Sequence, residues 1–131
     1  LGLVFIFCAD FRHLKRRGVK RTVYPEKIRK LVDTFLTSHG KTTAALRRRI
    51  EAHGARLAGA ERKDEGEIPG ELSKYVEKVA LYPYKIMDED VEALKSAGYS
   101  EDQVFEITLG ATLGASLARL ERGLVLLDGG E

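Results

Sequence analysis

Residues 106–119, EITLGATLGASLAR, decide the fold, because between Glu106 and Arg119 no residue carries a charge in a chain that is 32% Asp, Glu, Lys and Arg. Ile107, Leu109, Leu113, Leu117 and Leu120 point to several sides of a helix, whereas Gly110, Gly114 and Ala118 recur every four residues along one narrow face. A helix that is apolar nearly all round is a buried one. Each internal glycine costs about 1 kcal/mol of helix propensity relative to alanine. Gly110 and Gly114 therefore mark a place where another backbone comes close.

Outward from this segment, the chain of 131 residues, 44% hydrophobic, is long enough for one ordinary domain with its own core. Cys8 is the single cysteine, which excludes an intrachain disulfide and any cysteine-based zinc site and fits a reducing, cytoplasmic setting. The net charge of +2 conceals an asymmetry: residues 1–60 hold 14 basic and 4 acidic side chains, residues 61–131 hold 8 and 16. Halves of opposite sign favour self-association.

Residues 1–24 read as an N-terminal arm, the apolar run LGLVFIFCA followed by Arg12, Lys15, Arg16, Arg17, Lys20 and Arg21. The run is too short to span a membrane, and its charges follow it, unlike those of a signal peptide. Any binding of nucleic acid or an anionic membrane is expected only through residues 1–21. Residues 25–131 read as a single helical domain. Pro25 suits a helix start, and Ile28, Leu31, Val32, Phe35 and Leu36 share a face up to His39 and Gly40. Thr42 or Thr43 caps a second helix through Leu46 and Ile50, whose Arg47, Arg48 and Arg49 fan around the helix and are expected to be solvated. Gly54, Gly59 and residues 61–67 read as loop. Pro69 opens a third helix with Leu72, Tyr75, Val76, Val79 and Ala80 inward, ended by Tyr82-Pro83. Asp88 is the expected cap of a short fourth helix with Val91 and Leu94 inward, stopped by Gly98. Ser100 and Gln103 form a capping box that launches a fifth helix, from Glu101 to about Leu127, ended by Gly129 and Gly130. The expected fold is all-α, a compact domain of about five helices.

The stretch from Leu72 to Leu127, and within it DEDVEALKSAGYSEDQVFEITLGATLGASLARLERGL, resembles the C-terminal half of the alkylhydroperoxidase D-like and carboxymuconolactone decarboxylase-like proteins. The shared pattern is a short helix, a glycine followed by an aromatic residue and a capping serine, then a long small-residue-rich helix with an arginine where Arg119 stands. The resemblance implies a helical fold that assembles into homo-oligomers. For the peroxidase branch it also implies a CxxC dithiol supported by glutamate and histidine, placed before this hairpin. Between Pro25 and Pro69 the chain has no cysteine, and reducing a peroxide with a dithiol needs an attacking and a resolving thiol within reach of each other. Dithiol peroxidase activity is therefore not expected.

The reading is of a dithiol-free homologue that serves as an oligomeric scaffold or subunit, with Gly110, Gly114 and Ala118 as its oligomer-contact or helix-packing face. An alternative is a decarboxylase- or isomerase-type enzyme whose site forms between subunits, with Tyr84, Lys85, Glu106 and Arg119 as catalytic candidates. No metal or other cofactor is expected, because His13, His39 and His53 have no ligand spacing; His39 and His53 each precede a glycine and are placed at helix C-termini. Tyr75, Tyr82, Tyr84 and Tyr99 around Lys85 could line a small-molecule pocket, although tyrosines at helix ends more simply bury a ring and keep the hydroxyl wet. A DNA-reading helix-turn-helix around Gly98 fails on sign, since its second helix begins Ser100-Glu101-Asp102.

Overall fold

In the computed structural model, which describes residues 24–127, five helices follow one another with no strand among the described residues. They are α1 (Glu26–Thr37), α2 (Ala44–Leu57), α3 (Gly70–Leu81), α4 (Asp88–Ser96) and α5 (Glu101–Leu127), with a 3-10 turn at Pro83–Lys85 between α3 and α4. The expected all-α architecture and its long last helix are both present. The N-terminal run, its basic cluster, Cys8, His13, Gly129 and Gly130 lie outside the described residues.

Local chemistry sets the boundaries. Thr43, rather than Thr42, caps α2 by accepting from the Leu46 amide at 3.1 Å. Gly59 and Gly98, both at positive φ, end α2 and α4 in the same way. In each, the glycine N–H donates to the carbonyl three residues back and the next N–H to the one five back: Ala60 to Ala55 at 2.9 Å, Tyr99 to Leu94 at 3.1 Å. The capping box at Ser100 and Gln103 is complete, at 2.9 and 3.2 Å. Asp88 is not the cap of α4. Met87 holds that position, and the Asp90 carboxylate accepts its amide at 2.8 Å.

α2 and α5 form the centre of the fold, and glycines on both make their approach possible. A Cβ on Gly54 would lie 2.8 Å from the Ala111 carbonyl oxygen. One on Gly114 would run into the Glu51 carbonyl oxygen and stand 2.9 Å from the Ala55 nitrogen. Gly54 is thus a helix residue at a backbone crossing and not part of a loop. On one side α3 adds Leu72, Tyr75, Val76 and Val79 to Ile50, Val104, Ile107 and Ala111. On the other, α1 packs Val32 and Leu36 on Leu117, with Phe35, Leu113 and Leu120 beside them. Ile50, Leu72, Val76 and Ile107 have essentially no solvent contact, and burying each stabilises by about 1.5–3 kcal/mol relative to exposure.

The last helix departs from its sequence reading in one respect. Phe105, Leu109, Thr112 and Ser116 lie along an outward stripe, Phe105 being 66% and Leu109 40% exposed. α5 is buried on three sides and open on the fourth.

Candidate functional site

The strongest concentration of buried charge lies where α1, α2, α5 and the 58–69 connection meet. Glu51 reaches it because residues 47, 50, 51, 54 and 55 fall on the inward face of α2 at helical spacing. Arg62 enters from the connection just after the Gly59 turn, and Glu121 from the second half of α5. The Arg62 guanidinium grips Glu121 with two nitrogens, at 2.8 and 3.1 Å, and donates its Nε to Glu51 Oε1 at 3.0 Å. Its Nη1 also donates to the Glu61 carbonyl at 2.9 Å. The Tyr24 hydroxyl donates to Glu121.

Titration behaviour follows from this arrangement. Burial and the Glu121 hydrogen bond push the Tyr24 hydroxyl far above its ordinary range, so it stays a neutral donor. Burial opposes the charge of Arg62, yet Glu121 and Glu51 more than offset it and hold the guanidinium protonated. Beside this network opens a pocket of about 220 Å³, with Val32 and Leu117 as apolar wall, Tyr24, Glu51 and Arg62 as polar wall, and Arg29 and Asp33 also lining it.

A second buried charge organises the chain without a pocket. Arg47, only 2% exposed, donates to the Phe35 carbonyl at 2.9 Å, the Thr42 carbonyl at 2.6 Å and the Ser38 carbonyl. Glu106 stands 3.6 Å from it and accepts the Lys41 and Thr42 amides, both at 2.7 Å, and the Thr42 hydroxyl. Partial burial opposes the Glu106 charge, but the Thr42 hydroxyl, the two amides and Arg47 outweigh it and hold the carboxyl below its ordinary range. Arg47 was expected to be solvated with Arg48 and Arg49; it is instead a clamp on the α1–α2 turn.

The four catalytic candidates do not meet within one chain. Glu106 serves the α1–α2 turn. Arg119 is exposed and donates to the Ala80 carbonyl, the last turn of α3, at 2.9 Å, thirteen residues or about 20 Å along α5 from Glu106. Lys85 lies 4.8 Å over the Tyr82 ring and 6.0 Å from that of Tyr84, in an exposed stack. Tyr75 and Tyr99 turn elsewhere, to Thr108 at 2.6 Å and to Glu71 at 2.9 Å. No protein-family model, curated protein or solved structure matches the chain.

Of the two uses expected of the Gly110/Gly114/Ala118 face, oligomer contact or helix packing, the chain itself makes the second: Ile50, Glu51 and Ala55 pack against it. His53 lies inside α2 and not at its end, where burial and then Arg56 lower its pKa. His39 follows α1 and is exposed. Among the described residues, no helix is long and apolar enough to cross a membrane, and no three histidine, cysteine or carboxylate side chains gather as metal ligands.

The sequence reading missed the Tyr24–Glu121–Arg62–Glu51 network. A signal for one of its four members was available: Glu51, like Arg47 of the other cluster, occupies a position of the α2 stripe that Ile50, Gly54 and Ala55 define, and a charged residue at such a position is either paired or on a mis-phased helix. Arg62 and Tyr24 carry no comparable signal, because both reach the site from non-helical segments.

Proposed function

We propose that this chain is a dithiol-free helical subunit of the alkylhydroperoxidase D-like and carboxymuconolactone decarboxylase-like type, which works as an oligomeric scaffold by pairing with copies of itself. The observation that carries this reading is the open side of α5. Over about three turns it presents Phe105, Leu109, Thr112 and Ser116 with no charge, in a chain where charge is otherwise dense. Two-fold association sets a surface against itself, so a face bearing a cluster of one sign would oppose like charges. This one carries none. Thr112 and Ser116 are small enough to admit a second helix, and Phe105 and Leu109 supply apolar contact.

The resemblance of residues 72–127 to that family, with a short helix, a Gly98-Tyr99-Ser100 corner and a long helix containing Arg119, supports the same reading. Light scattering on the full chain tests it. The expected result is a mass of two or more chains that falls to one in Leu109→Glu, with helicity by circular dichroism unchanged. A monomeric wild-type chain at high micromolar concentration would sink the proposal.

A further inference from the structure

We propose that the pocket beside Glu51 binds a small organic cation, an alkylammonium compound, whose charged head meets the Glu51 carboxylate and whose chain lies along Val32 and Leu117. The buried network holds two carboxylates, Glu51 and Glu121, and one guanidinium, Arg62. Tyr24 adds a neutral donor, and Arg29 and Asp33 offset each other. Among these described side chains one negative charge is left in excess, in a place largely removed from water, where an unbalanced charge is costly. Glu51 is 3% exposed and yet lines the pocket. Arg62 takes its Oε1 at 3.0 Å.

The same geometry argues against other ligand classes. An anion would find every Arg62 nitrogen already committed, to Glu51, Glu121 and the Glu61 carbonyl, and of the lining cations only the exposed Arg29 is left to meet it. A divalent metal ion takes six or more oxygens, and no cluster of three or more such side chains exists among the described residues. The volume of about 220 Å³ is several times the roughly 30 Å³ that one water occupies, which leaves room for a short alkyl chain against the apolar wall.

The test is calorimetric titration and thermal unfolding of the full chain near neutral pH with butylammonium chloride, against 1-butanol and sodium butyrate at matched ionic strength. Saturable binding and a raised unfolding midpoint are expected for the ammonium compound alone. Glu51→Gln keeps the side-chain shape and removes the excess charge, so it should weaken that binding at least about tenfold, a change of 1.4 kcal/mol. Its own unfolding midpoint without ligand should be no lower than wild type, whereas a purely structural Glu51–Arg62 pair would lower it. Equal responses to the amine and the alcohol, or a Glu51→Gln chain that binds like wild type, overturn the proposal. Should Glu51→Gln fail to fold, the wild-type series decides alone: no saturable response to butylammonium overturns the site.

Discussion

The α-carbon of Gly114 faces the carbonyl oxygen of Glu51 across the α2–α5 crossing, with no space between them for a methyl group. Backbone cannot move aside as a side-chain tip can, so the two helices would have to separate. Gly114→Ala should therefore destabilise the chain by about 1–3 kcal/mol or more, despite alanine's better helix propensity. Gly110→Ala should cost less, because its methyl would meet the Ile50 Cγ2 at 3.2 Å, an atom that can yield. Gly123→Ala, with nothing within 4 Å inside the same helix, should gain up to about 1 kcal/mol. Urea unfolding of the three variants checks the order, and equal effects at 110, 114 and 123 would contradict the crossing.

Arg47 and Arg119 differ in weight. Arg47 is buried and holds three carbonyls besides facing Glu106. Arg47→Met should cost about 3–5 kcal/mol, since Glu106 and the turn carbonyls lose their partner together. Arg119 is exposed and holds one carbonyl. Arg119→Ala should cost about 1 kcal/mol or less. Denaturant midpoints compared at equal slope distinguish the two.

Most of the fold was legible because its signals are local. Pro25, Pro69, Gly98 and the Ser100–Gln103 box bound α1, α3, α4 and α5 with chemistry contained in a few consecutive residues, and Leu72, Tyr75, Val76, Val79 and Ala80 declare one face by spacing alone. The glycine notch was legible as a close approach. What it approaches was not, because a helix wheel gives the direction of a face and not the identity of its neighbour; of a second copy and a helix of the same chain, α2 is the neighbour present. The site was illegible for a related reason. Tyr24 and Glu121 are 97 residues apart, and nothing in either neighbourhood encodes their meeting. Glu51 could be seen only by counting a carboxylate into an apolar stripe.

Acid should release the α1–α2 turn through Glu106. Its carboxyl is held below the unfolded value of about 4.5 by the Thr42 hydroxyl and the Lys41 and Thr42 amides against the opposing effect of burial. A depressed folded value means that the folded chain binds this proton less readily than the unfolded one. The stabilisation is then fully present above about pH 4.5 and is lost as pH falls through the lower folded value. Unfolding midpoints measured from pH 7 down to pH 3 should fall less steeply in Glu106→Gln than in wild type, from a lower starting point. Parallel profiles would show that Glu106 does not carry this linkage.

Arg62 bridges Glu51 and Glu121, so its removal should be felt at both. Arg62→Met keeps much of the side-chain volume but leaves two carboxylates sharing a buried site, where they must repel or take up a proton. A loss of about 3–5 kcal/mol is expected at neutral pH. Glu51→Gln in the same background removes one of the stranded charges and should recover part of that loss, a coupling that a double-mutant cycle reads directly. Independent, additive effects at 51 and 62 would mean that the guanidinium is held mainly by Glu121 and that Glu51 answers to another partner.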